Sequence, residues 1–106
     1  MKLLLVNDHA SLRHGIRDLL RMLYSPNIQI DEAEDGDQAL RLYAERGPYN
    51  VVLTDIEHPG PNGIELAKAI WERNHDQKVG FITAHLLSST LLDGVLSLVF
   101  DGLDLI

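Results

Sequence analysis

Polar side chains follow three of the apolar runs in this sequence, and their types suit phosphoryl chemistry. Asp55 follows the run VVLT, Asn7 and Asp8 follow KLLLV, and Thr83 closes KVGFIT. If these runs are parallel strands, their carboxyl ends meet at one edge of the sheet, where α/β proteins form their sites. Carboxylate and amide oxygens suit Mg²⁺, an ionised Asp can attack phosphorus, and a hydroxyl can donate to a phosphoryl oxygen. The pattern therefore predicts a Mg²⁺-assisted phosphoryl-acceptor site.

Each of these residues also has a purely structural explanation. Asp8 could cap a helix that starts near Ala10, because Asp is favoured at that position. Asp55 could open a turn, and Thr83 could simply end a strand. The site is the better hypothesis for the group, because separate strand ends bring compatible side chains to one expected place.

The segment that follows Asp55 is rich in turn-forming residues. Pro59 and Pro61 stiffen this stretch, while Gly60 and Gly63 permit tight turning. We therefore expect a fixed loop beside the carboxylate.

Strand-like and helix-like segments alternate along the chain. The apolar stripe Leu12, Ile16, Leu19, Leu20 and Leu23 has the spacing of a first helix, which the segment 25–27 ends. The remaining segments are predicted strands at 2–6, 28–33, 49–54 and 78–83 and predicted helices at 35–47 and 63–74. The run 28–33 alternates and indicates a strand near the sheet edge. This order predicts an α/β fold with a parallel sheet and helices on both faces.

Composition restricts the class of protein. The 106 residues fit one domain, 1–106, with 45% hydrophobic and 24% charged residues. The net charge of -7 makes nucleic acid a poor direct partner. There is no cysteine, which excludes disulfides and thiolate metal sites. No apolar run is long enough to cross a bilayer, so we expect a cytoplasmic protein without a membrane partner.

Four stretches resemble the receiver domain of bacterial response regulators in two-component signalling: LLLVNDHASLR, DEAEDGDQAL, VVLTDIEHPGPNGIELAKAI and VGFITAH. They cover residues 3–85 in the order and spacing of that family. The resemblance implies a flavodoxin-like doubly wound parallel sheet and a signalling module rather than an enzyme. It also implies transfer of a phosphoryl group from a histidine kinase or phosphotransfer protein, with Mg²⁺ present.

The resemblance assigns a role to each candidate residue. Asp55 matches the phosphoacceptor, and Asp8 matches the acid that binds the metal directly. Glu57 stands where a backbone carbonyl supplies a further ligand, and Thr83 matches the hydroxyl residue that follows the phosphoryl group during switching. Asn7 occupies the other position of the acidic pair. Its amide brings no charge but could hold a metal-bound water, so attraction for Mg²⁺ should weaken without vanishing.

Two further departures from the family concern the last part of the chain. The family has a Lys at the end of its fifth strand, which pairs with the phosphoacceptor. Here the lysines are Lys2, Lys68 and Lys78, and the family position falls at or near Ile106. The sequence also ends where a fifth helix should begin, so we expect a fold truncated or rearranged after the fourth strand. The apolar segment 86–106 then predicts a protein contact, such as a homodimer.

Two other function classes remain open. The missing Lys favours an atypical or weakened switch within the receiver hypothesis. A pseudo-receiver, in contrast, would act as an interaction or dimerisation module without phosphorylation. A small phosphatase of the haloacid-dehalogenase type also uses a strand-end Asp, but it requires a second Asp two residues later, where this chain has Glu57.

Overall fold

The computed structural model describes residues 1–56 and 60–82, in which strands and helices alternate. The elements are β1 (Lys2–Val6), α1 (Ala10–Leu23), β2 (Gln29–Ala33), α2 (Gly36–Arg46), β3 (Val51–Asp55), α3 (Gly63–Arg73) and β4 (Val79–Ile82). This order confirms the predicted α/β class. The segment 86–106, with its predicted contact and rearrangement, lies outside the described residues. In the described ranges, no helix is both long and apolar enough to cross a membrane.

The four strands form one parallel sheet in the order β2-β1-β3-β4. The chain builds outward from β1 to β2 and then returns to place β3 on the other side of β1. This reversal is the switch point of a flavodoxin-like fold, so the predicted topology is confirmed over these strands. Among the described strands, β2 pairs with β1 only, which confirms its expected place at an edge.

Two hydrophobic layers enclose the central strands. Alternate side chains of β1 and β3 point to opposite faces, and both strands are buried on each face, which explains their unbroken apolar runs. One layer joins Leu3, Leu5, Val51 and Leu53 to Ile16 and Leu20 of α1. The other joins Leu4, Val6 and Val52 to Ala39 and Tyr43 of α2 and to Leu66 and Ile70 of α3. The site edge therefore rests on two rigid neighbouring strands.

Ion pairs fix α1 to the edge strand β2. The Glu32 carboxylate accepts from Arg13 Nε at 3.0 Å and from Arg17 Nη1 at 3.0 Å. Arg13 is only 5% exposed although it belongs to a surface helix. Burial raises the pKa of Glu32, but the hydrogen bonds from Arg17 and Arg13 outweigh it and hold that pKa below its ordinary value.

The backbone on the two sides of the β3–α3 loop is in close contact. Gly63 N donates to Ile56 O at 2.7 Å. A Cβ added at Gly63 would lie 2.3 Å from the Asp55 carbonyl oxygen, so only glycine permits this approach. Next to it, Asn62 and Glu65 form a reciprocal capping box that starts α3. Helix α3 is thereby held against the end of β3.

Replacement of Gly63 by alanine should destabilise the fold, because the new methyl group would meet backbone. We expect Gly63→Ala to lower the free energy of unfolding by about 1–3 kcal/mol. Gly15→Ala is the matched control: Gly15 lies within α1 and has nothing within 4 Å of an added Cβ. That variant should stabilise the protein by about 0.5–1 kcal/mol. Urea unfolding followed by circular dichroism measures both; equal effects would contradict the close approach.

Acid should weaken the contact between α1 and β2. Because the folded-state pKa of Glu32 lies below its ordinary value of 4.5, its contribution is complete above that pH and is lost as pH falls through the folded pKa. Between about pH 5 and about pH 3, Glu32→Gln should therefore lose less stability than the wild type. Glu72→Gln, at an exposed position of α3, should keep the wild-type dependence. Urea midpoints across this range provide the measurement, and parallel curves for all three proteins would refute the assignment.

Candidate functional site

Asp55 is the last residue of β3 and reaches the carboxyl edge of the sheet. The residue is 5% exposed. Its strand pairs in register with both neighbours, Val6 opposite Thr54 and Asp55 opposite Ile82. Since Val51 and Leu53 pack on the α1 side, alternation along the strand places the Asp55 side chain on that side as well. A carboxylate this buried requires a compensating polar or charged environment, which is typical of a functional position.

Asn7 continues β1 and lies one step beyond the Val6–Thr54 pair. Its backbone N donates to Ala33 O at 3.0 Å, which extends the parallel ladder by one residue. Its side-chain Oδ1 accepts from His9 N at 2.8 Å, and this Asx turn leads the chain into α1. The register therefore places Asn7 and Asp55 next to each other on adjacent strands.

Asp8 does not cap helix α1. The N-cap residue is His9, and no side chain makes a capping hydrogen bond there. The Asp8 side chain is 32% exposed, and His9 Nε2 lies 3.8 Å from its Oδ1. The structural explanation for Asp8 is therefore wrong, and its carboxylate stands at the tip of β1 beside the residue that neighbours Asp55.

The described residues fit a Mg²⁺ ion chemically. Asp8 and Asp55 offer hard carboxylate oxygens, and Mg²⁺ needs only one or two of these because waters and phosphate oxygens complete its shell. Among the residues that the structure describes, no group of three or more His, Cys, Asp or Glu side chains could hold a metal. A Mg²⁺ site with two carboxylates does not need such a group. Glu57 and Thr83 lie outside the described residues, so their roles stay predictions.

None of the three lysines, all of which lie in the described ranges, belongs to the carboxyl edge of the sheet. Lys2 and Lys78 are at the opposite edge, at or just before the starts of β1 and β4, and Lys68 is exposed in the middle of α3. The Lys2 ammonium donates to the Arg46 carbonyl and lies 5.0 Å from the centroid of the Tyr49 ring. Among these residues, no lysine therefore provides the charge that the family has beside its phosphoacceptor.

Arg13 is the cation that sequence reasoning missed. Its Nη1 donates to Asn7 O at 2.7 Å, so a buried guanidinium supports the backbone of the site edge from α1. The signal was present in the spacing: Arg13, Ile16 and Leu20 lie on one helical stripe, and all three are buried. Its charge is shared with Glu32, so Arg13 supports the backbone and does not replace a lysine ammonium.

Known proteins resemble the chain in sequence and in fold. Residues 3–101 match the family model described as the response regulator receiver domain. The chain is 42% identical over 73 residues to the transcriptional regulatory protein ResD of Bacillus subtilis, covering 68% of this chain and 28% of ResD. It is 41% identical over 70 residues to the chemotaxis protein CheY-3 of Vibrio cholerae, covering 66% of this chain and 52% of that protein.

The fold comparison points the same way. The solved structure of the response regulator TrrA of Thermotoga maritima, in complex with Mg²⁺ and BeF, is 35% identical with a TM-score of 0.62. The match covers 83% of this chain and 75% of that one. The chain spans less than two thirds of the length of the two curated relatives named above. From the family match over residues 3–101 and the receiver-like order of its strands, this chain belongs to the response regulator receiver domain family.

Proposed function

We propose that this chain is a phosphorelay receiver that accepts a phosphoryl group on Asp55. The observation that supports it most directly is the buried strand-end carboxylate of Asp55, beside Asn7 and Asp8 in a member of the receiver family. The donor would be a phosphohistidine of a histidine kinase or phosphotransfer protein. The metal ligands would be the Asp8 and Asp55 carboxylates and the Glu57 carbonyl.

Phosphoryl transfer requires Asp55 to act as the nucleophile. One carboxylate oxygen attacks phosphorus, the new O–P bond forms as the P–N bond of the donor breaks, and the imidazole leaves with the electron pair. When bound, Mg²⁺ neutralises charge on the phosphoryl oxygens. Burial at the strand end keeps the carboxylate fixed for in-line attack. The Thr83 hydroxyl would then donate to a phosphoryl oxygen and couple the new charge to the neighbouring backbone.

The described residues place no lysine at this edge, which affects the read-out more than the acceptance of phosphate. The phosphoryl group carries a charge of roughly -1.5 to -2 at neutral pH, and because the Asp55 carboxylate loses its own negative charge on transfer, the net gain is about one negative charge or less. Without a lysine ammonium at this edge, fewer contacts distinguish the phosphorylated state from the free one. We therefore expect weak coupling between phosphorylation and any structural switch. A phosphorylation-independent interaction module remains the second candidate, because the described residues place no lysine at this edge of the sheet.

Incubation with acetyl phosphate and Mg²⁺, followed by intact mass spectrometry, tests the proposal. The wild type should gain the mass of one phosphoryl group, and Asp55→Asn should gain none. Asp8→Asn should need at least about fivefold more Mg²⁺, since a close carboxylate–cation contact is worth about 1–4 kcal/mol. Asp76→Asn, at an exposed position next to His75, is the matched control and should behave as the wild type.

Two results would reject the phosphoacceptor role. One is the absence of any mass gain at every Mg²⁺ concentration, which would favour the interaction module. The other is a gain that persists in Asp55→Asn, which would place the acceptor elsewhere.

A further inference from the structure

The amide nitrogen of Asn7 is a buried donor without a partner. The residue is 1% exposed, and Nδ2 finds no hydrogen-bond acceptor in the structure described. A buried donor left unsatisfied is costly, so native proteins usually supply it with a protein atom, a water or a ligand. Within the candidate site, the Asn7 side chain thus has a buried donor to which the described residues offer no acceptor.

The orientation of the amide follows from its neighbour. The backbone N–H of His9 can only donate, so the atom that faces it at 2.8 Å is the acceptor Oδ1. The NH₂ group therefore occupies the other branch of the side chain. An NH₂ group cannot be a metal ligand, and it cannot accept a hydrogen bond from a metal-bound water.

An acceptor can arise on the adjacent strand. Leu3 and Leu5 pack on the α1 side of β1, so alternation places the Asn7 side chain on that same side. Asp55 has the corresponding position on β3, on the same face. A tetrahedral group attached to the Asp55 carboxylate extends its oxygens beyond the reach of the carboxylate itself. The group would thus bring new acceptors next to a donor that has none.

We propose that Asn7 Nδ2 is an oxyanion donor, which binds an oxygen of the tetrahedral group that Asp55 accepts. This inference rests on the proposed function and changes the expected role of Asn7 from ordering a metal-bound water to contacting the phosphoryl group. Because the Asn7 amide is neutral, its hydrogen bond stabilises the phosphorylated site without adding charge. It supplies an anion contact at an edge where the described residues place no lysine.

Nuclear magnetic resonance on the ¹⁵N-labelled chain tests the contact directly, with beryllofluoride as the phosphoryl mimic. The Asn7 side-chain NH₂ signal is assigned as the one that disappears in Asn7→Asp. Addition of Mg²⁺ alone should leave this signal almost unchanged. Beryllofluoride with Mg²⁺ should shift it downfield and slow its hydrogen exchange, as expected for a new hydrogen bond to an anion.

Two variants separate the phosphoryl contact from a metal contact. Asn7→Ala should weaken beryllofluoride binding about tenfold, equivalent to about 1.4 kcal/mol, while Mg²⁺ affinity stays within about twofold. Asn7→Asp should bind Mg²⁺ more tightly because it adds a carboxylate, yet at saturating Mg²⁺ it should still bind beryllofluoride more weakly than the wild type. Asn27→Ala, at an exposed turn position, is the matched control and should change neither affinity.

The outcomes that overturn the inference are distinct from those that overturn the proposed function. A shift of the Asn7 signal with Mg²⁺ alone, or equal losses of Mg²⁺ and beryllofluoride affinity in Asn7→Ala, would place Asn7 in the metal shell and reject the donor role. Tighter beryllofluoride binding by Asn7→Asp at saturating Mg²⁺ would reject it as well. If the wild type binds no beryllofluoride at any Mg²⁺ concentration, the proposed function fails and this inference fails with it. If Asn7→Ala does not fold, the wild-type NH₂ signal and Asn7→Asp decide.

Discussion

The parallel register between β1 and β3 is the constraint on which the rest of this molecule depends. With Val6 opposite Thr54, the next residues on the two strands are Asn7 and Asp55. A slip of one residue would turn each of these side chains to the other face of the sheet. Because both strands are buried on both faces, such a slip would also exchange the side chains of the two hydrophobic layers and disrupt their close packing. The hydrophobic layers therefore position the polar edge, although they make no chemical contribution to it.

Much of this arrangement follows from the sequence, for physical reasons that particular residues illustrate. The unbroken run at β1 indicates a strand buried on both faces, and the alternation at β2 indicates an edge strand; both are as the sheet has them. Apolar spacing alone was less reliable on α1. Leu23 belongs to the predicted stripe but is 52% exposed, while Arg13 is buried. Burial of an arginine depends on an acceptor from another element, here Glu32 and the Asn7 carbonyl, and helical period does not encode that partner.

The site shows the same division between what residue type predicts and what geometry decides. The placement of Asp55 at a strand end could be predicted, since an apolar run stops there. The sequence could not predict whether Asp8 caps the helix, because capping depends on the backbone dihedral angles. His9 takes the N-cap position instead. Nor does the identity of Asn7 reveal which end of its amide faces the site. That orientation depends on a single backbone N–H two residues later, which the fold places and the composition does not.

The guanidinium of Arg13 has a consequence for communication across the domain. This one side chain donates hydrogen bonds both to Glu32 on the edge strand and to the backbone carbonyl of Asn7. A rigid shift of α1 would thus pull on the peptide that precedes Asp8. Under the proposed function, a protein that displaces this helix would alter how readily the strand tips accept the phosphoryl group. By thermodynamic reciprocity, reversible binding of a phosphoryl mimic at the proposed site would change the affinity for that docking protein by the same factor.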